Sequence, residues 1–100
     1  MFTELDPLVH SQVRLAVMTI LLNVKTAEFA YLLDATKTTK GNLSFQLNKL
    51  NEGGYVDIVK TAKGNYPLTV CSITKKGIDA YEKYVEAISG YFKASGLQNN

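Results

Sequence analysis

A chain of 100 residues, 46% hydrophobic and 20% charged, has the size and composition of one small folded domain, whose modest core gains from a partner surface. One cysteine, Cys71, excludes an intramolecular disulfide and a cysteine-built metal cluster, and a lone histidine, His10, is too few ligands for a metal site. The net charge of +2 hides an uneven distribution: Lys37, Lys40, Lys49, Lys60, Lys63, Lys75 and Lys76 face only Glu52 and Asp57 in the middle of the chain, while both flanks are acidic. Such a basic block suits phosphate, or is simply a solvated lysine surface.

No apolar run reaches the roughly 18 residues of a spanning helix. Leu15–Val24 lacks the basic start and small-residue cleavage site of a signal peptide, so a cytoplasmic location is expected. The first helix is predicted over about 6–23, with Asp6 as cap and Pro7 in its first turn. Its apolar residues cover more than one face, as in a helix that is either central to the core or partly covered by another subunit. Thr26 is read as the cap of a second helix running to about Ala35, with Glu28 in its first turn and Phe29, Leu32 and Leu33 facing inward.

Thr36-Lys37-Thr38 reads as a tight connection, and Thr39 caps a third helix. Leu43, Leu47 and Leu50 then fall within about 60° of one another. The opposite face carries Gly41, Asn42, Phe45, Asn48, Lys49 and Glu52, with Ser44 and Gln46 at its borders, and Gly53-Gly54 ends the helix. Tyr55–Thr61 and Leu68–Thr74 read as two strands joined by a loop of several turn-forming residues, Ala62–Pro67. Thr74 caps a last helix of about 75–94 with two apolar stripes: Ile78, Tyr81, Val85, Ile88 and Phe92, and Ala80, Tyr84, Ala87 and Tyr91. One stripe can pack on the domain and the other can meet a partner.

Two helices joined by a short turn and followed by a hairpin define the expected fold class: mainly α with a β-hairpin wing (α+β), a winged helix-turn-helix within one domain spanning 1–100. Leu5–Ala16 resembles the opening helix of small winged-helix regulators related to the MarR and ArsR groups. Gly41-Asn42-Leu43-Ser44, followed by Leu47, Leu50, Glu52 and Gly54-Tyr55-Val56, resembles their recognition helix running into the wing. Ile73-Thr74-Lys75-Lys76-Gly77 is similar to their strand-to-helix join. The resemblance implies a dimeric transcription factor that binds operator DNA, with the first and last helices building the dimer interface. The chain departs from it in having Phe45 and Gln46 where Arg and His are common, and Asn65-Tyr66 before Pro67 where a pair of Arg is common. Both changes lower the expected electrostatic affinity.

On this reading Asn42, Gln46 and Asn48 suit paired hydrogen bonds to adenine edges, and Ser44 a base or a phosphate. Gly41, Lys40, Lys49, Thr38 and Thr39 lie where the backbone of double-stranded DNA would pass. Lys60, Lys63, Asn65 and Tyr66 belong to the wing, 60–67, beside the phosphates or the minor groove. Phe45 presses on thymine methyls, anchors a protein, meets another subunit, or is an exposed aromatic with no role. Leu8, Val9, Val13, Val17, Tyr84, Ala87, Ile88, Tyr91 and Phe92 are the expected homodimer interface. Arg14 and His10, one turn apart, read as capping or interface residues, and Cys71 as a small buried hydrophobe. Tyr81, Tyr84 and Tyr91 line a ligand cavity between subunits, or belong to the core or an interface. No catalytic constellation stands out, so no enzyme, cofactor or metal is expected. Any small-molecule effector would bind between helices or at the dimer seam. The function expected is a homodimeric, sequence-specific DNA-binding repressor; the alternative is a winged-helix protein-interaction module anchored by Phe45.

Overall fold

Val17, Met18 and Leu21, Leu32, and Leu43, Leu47 and Leu50 converge from three helices on one core, closed by Val56 and Cys71 from a sheet, in a computed structural model that describes residues 2–97. The elements in order are α1 (Gln12–Val24), β1 (Thr26–Glu28), α2 (Phe29–Thr36), α3 (Lys40–Glu52), β2 (Val56–Lys63), β3 (Tyr66–Ile73) and α4 (Lys75–Ser95). The sheet is antiparallel in the order β1-β3-β2. The architecture is the expected winged helix-turn-helix, with three differences in detail.

First, the opening helix begins at Gln12 rather than near Asp6. Asp6 does cap a turn: its carboxylate accepts from Leu8 N–H at 2.9 Å and its carbonyl from His10 N–H at 2.8 Å. Ser11 then breaks the helix with an extended backbone, φ −157°. The turn is kept separate because Arg14 takes its carbonyls, with Nε on Leu8 O at 2.7 Å and Nη2 on Pro7 O at 3.2 Å. Val9 is buried beneath it.

Second, Thr26 is not a helix cap. Lys25 turns the chain with φ 70°, and Thr26–Glu28 pairs with β3 as Thr26↔Ser72, Ala27↔Cys71 and Glu28↔Val70. The cap position of α2 falls to Glu28, whose side chain makes no capping bond. The strand exists because β3 otherwise shows an unpaired row of backbone groups over the core.

Third, the expected hairpin loop contracts to two residues. Lys63 pairs with Tyr66, leaving Gly64-Asn65 as the turn, with Gly64 at φ 63° in the first central position that a type II′ turn reserves for glycine. Pro67 therefore lies in β3, opposite Ala62, beyond the point where β1 stops. On that open side a missing N–H costs nothing.

The expected caps of α3 and α4 are in place. Thr39 Oγ1 accepts from Asn42 N–H at 3.1 Å, and Thr74 Oγ1 accepts from Gly77 N–H at 3.0 Å. Thr74 also donates to Gly54 O at 2.6 Å, while its own N–H bonds Tyr55 O at 3.0 Å, stitching the start of β2 to the start of α4. Tyr55 in turn donates its hydroxyl to Asp6 Oδ2, tying the N-terminal turn to the same corner. Partial burial, then the hydrogen bond and charge of Asp6, raise the Tyr55 phenol to about 12, so it stays a neutral donor at physiological pH. Burial likewise pushes the Cys71 thiol up to about 11, which leaves it an unreactive core side chain.

Four residues expected at a dimer interface belong instead to the core of the chain itself. Val9 and Val17 are fully buried, and Tyr84 and Ala87 almost so. The inward stripe of α4 is thus the one carrying Tyr84, whose hydroxyl meets His10 Nδ1 at 2.8 Å; Tyr81 reaches Thr19 Oγ1 at the same distance. The other stripe is left partly open, with Val85 45% and Phe92 58% exposed.

Gly77 is buried where a Cβ would collide with the carbonyl oxygen of Tyr55. Gly77→Ala is expected to cost about 1–3 kcal/mol through forced displacement of the β2–α4 corner, read as a lower denaturant midpoint at unchanged slope.

Candidate nucleic-acid interface

The inner face of α3 is fixed by three buried leucines, so the residues between them must face outward. Lys40, Gly41, Ser44, Phe45, Asn48 and Lys49 are exposed there, and Asn42 and Gln46 half-buried. The capped start of α3 leaves backbone N–H groups of its first turn without helical partners, a polarity that favours an anion. Thr38 and Thr39 flank that start. The Phe45 ring is 56% exposed and covered on one face by Lys49 Nζ, 5.3 Å from its centroid. The aromatic is thereby part of a cationic surface rather than an isolated apolar spot.

The hairpin is brought beside this face at its root. A groove of about 270 Å³ is lined by Ser44, Leu47 and Asn48 of α3, by Ile58, Lys60 and Thr69 of the strands, and by Phe29. Lys60 thus shares one continuous surface with Ser44 and Asn48 on the outer side of α3. Lys63, Asn65 and Tyr66 lie away from this groove at the hairpin tip, where Tyr66 is 78% exposed and packs on nothing that hides it.

Arg14, the only arginine in the chain, caps the carbonyls of the N-terminal turn as the sequence allowed, but its link to α3 was not foreseen. Its Nη1 donates to Gln46 Oε1; Gln46 Nε2 donates to Asn42 Oδ1 at 3.1 Å; Asn42 Nδ2 donates to Thr38 Oγ1 at 2.8 Å. Two of the amides expected to face bases are therefore already bonded to each other. The signal was present in the four-residue spacing of Asn42 and Gln46 on α3, but Thr38 lies before the helix cap and the donor at the other end comes from another helix.

Of the residues expected at the dimer interface, Leu8 packs on Gly53, Val13, Ile88 and Tyr91 keep part of their surface, and Phe92 is exposed. Among the described residues no group of three or more His, Cys, Asp or Glu could hold a metal. No helix among them is long and apolar enough to cross a membrane.

Paired helices, an outward polar face capped at its N-terminus and a hairpin alongside define a winged-helix DNA-binding domain. The model of the winged helix DNA-binding domain family matches residues 13–92, and the chain belongs to that family. An uncharacterized protein of Methanocaldococcus jannaschii is 34% identical over 79 residues, covering 79% of this chain and 86% of that one. A transcriptional regulator homologue from Pyrococcus horikoshii superposes with a TM-score of 0.83 at 26% identity, over 90% of this chain and 89% of that one. A protein described as a MarR-family transcriptional regulator from Enterococcus faecalis shares the fold, with a TM-score of 0.73 at 17% identity over 89% of this chain and 79% of that one. The expected resemblance to small winged-helix regulators therefore holds at the level of a winged helix DNA-binding domain, and the Pyrococcus protein that shares it is a transcriptional regulator homologue.

A Cβ at Gly41 would meet nothing within 4 Å, so its glycine is not required by packing. Gly41→Ala is expected to leave the fold intact and raise stability by up to about 1 kcal/mol, measured by thermal or denaturant unfolding.

Proposed function

We propose that this chain is a sequence-specific DNA-binding transcriptional regulator that acts as a homodimeric repressor in the cytoplasm. Each subunit lays α3 in a major groove with the wing beside it. The observation that carries the reading is the single surface formed by the outer face of α3, the phosphate-accepting helix start and the wing root at Lys60. Lys40, Lys49 and Lys60 supply charge along it, Thr38, Thr39 and Ser44 supply hydroxyls, and Asn42, Gln46 and Asn48 supply the amides that read base edges. Gly41 lets the DNA backbone approach the start of α3. Phe45, held under Lys49, fits a thymine methyl. Lys63, Asn65 and Tyr66 extend the contact along the backbone or into the minor groove.

Dimerisation is supported by the shape of the chain. Its radius of gyration of 15.2 Å exceeds the roughly 13 Å of a compact 100-residue domain, and its extents are 54 × 24 × 22 Å. The open stripe of α4, with Phe92, Ile88 and Val85, together with Tyr91, Val13 and Leu8, is the surface a second copy would cover. Twofold symmetry then makes the operator pseudo-palindromic, with half-sites about 34 Å apart. Occupying such a site excludes other proteins from it, so repression needs no additional surface. An effector would find room in the cleft of about 740 Å³ between residues 3–7 and α4, which includes Tyr55, Lys76 and Tyr84.

Selection of bound fragments from randomised duplex DNA at low salt tests the reading directly. Affinity is expected to fall steeply with salt, and Lys40→Ala or Lys49→Ala to weaken all sequences alike and reduce the salt slope by about 1 each. Gly41→Ala should bind less tightly despite its stability. Salt-independent binding, or equal affinity for every duplex, would sink the specific version. Retention of no DNA at all, with a protein held through Phe45 instead, would favour the interaction-module reading. The dimer is checked separately by sedimentation: Val85→Glu with Phe92→Asp is expected to yield folded monomers, and a wild type that is monomeric at micromolar concentration would overturn this part of the proposal.

A further inference from the structure

We propose that Arg14, which lies on α1 and outside the reading helix, is a positioning residue that sets the direction in which Asn42 and Gln46 present donor and acceptor to a base. The inference rests on the DNA-reading function proposed above and concerns how its specificity arises. An amide side chain has a donor end and an acceptor end of nearly equal shape, and its terminal torsion is broad and roughly two-fold. An exposed Asn or Gln can therefore turn over and offer either order of groups to the DNA.

Here that freedom is removed from one end. A guanidinium has donors only, so the atom of Gln46 facing Arg14 must be its oxygen. Gln46 Nε2 is then directed at Asn42, which must meet it with Oδ1, at 3.1 Å. Asn42 Nδ2 is left for Thr38, whose hydroxyl accepts at 2.8 Å. Turning either amide over would set oxygen against oxygen or N–H against N–H. Arg14 is itself immobilised by the carbonyls of Pro7 and Leu8, so the polarity of the relay is imposed from the N-terminal turn and α1. Each amide retains a second N–H and a second lone pair for the base, in one orientation only.

The test compares wild type with Arg14→Met and Gln46→Glu. In the free protein, the side-chain amide resonances of Asn42 should shift in both variants. In selection from randomised duplexes, Arg14→Met should lose about tenfold of its discrimination at the base pair nearest Asn42, with the salt slope unchanged. Gln46→Glu keeps an oxygen toward Arg14 but turns a second oxygen toward Asn42. Asn42 must then reverse and donate to it, while Thr38 donates to Asn42 Oδ1, so the preferred base at that position should change rather than merely weaken.

A folded Arg14→Met with unaltered base preference would overturn the proposal. So would a salt slope lowered by about 1, which would make Arg14 a direct phosphate contact. If Arg14→Met fails to fold, Gln46→Glu decides: a changed base supports the relay and an unchanged base overturns it. A wild type that retains no DNA removes the parent reading and this one with it, whereas wild-type selectivity that survives both variants removes only this one.

Discussion

Burial of Leu43, Leu47 and Leu50 constrains almost everything else in the molecule. With all three side chains in the core, α3 has no rotational freedom about its axis, and each remaining residue is assigned to an outer position by helical geometry alone. The core into which they fit is supplied by α1, α2, Val56 and Cys71, and the turn before α3 is set by Lys37, at φ 56°, and the Thr39 cap. Losing one of these leucines would leave a cavity and also free the polar face to rotate out of register with the wing.

The wing depends on a second constraint, the corner formed by Gly54, Tyr55, Thr74 and Gly77. Thr74 bonds to both neighbouring backbone segments, and Gly77 admits the Tyr55 carbonyl at a distance no other residue would permit. The hairpin therefore leaves the core at a fixed angle, which is what keeps Lys60 alongside Ser44 and Asn48. Asp6 adds the N-terminal turn to the same corner through Tyr55, so the first residues of the domain, the wing root and α4 share one anchor.

Much of this was readable from residue order because it rests on local chemistry. The leucine spacing identified the inner face of α3, Thr39 and Thr74 marked two helix starts, and Gly53-Gly54 marked an end. What escaped depends on partners distant in sequence. Thr26–Glu28 carries no periodicity of its own and is a strand only because β3 has an edge to fill. The Asp6 turn looks continuous with α1 until Arg14 claims its carbonyls. Ala62–Pro67 is rich in turn formers, yet Gly64-Asn65 alone suffices once the strands twist together. Two equally apolar stripes on α4 could not be ranked, since the burial of Tyr84 is decided by where α1 and His10 lie. The amide relay was hidden for the same reason: its end is on another helix. The outer face of α3 was legible as a set of residues, but not as a set of already bonded ones.

Among the described residues the order β1-β3-β2 leaves β2 at the outside of the sheet, with no strand beyond it and an exposed Val59. Such an edge invites another strand to add to it, and lysines are a common means of discouraging that. Lys60 and Lys63 sit on this strand. The charges proposed to face DNA from the wing thus also stand where edge-to-edge pairing would begin, and there they disfavour it. Under the proposed function the same two side chains would meet DNA, so replacing either would bear on the exposed edge as well as on the wing.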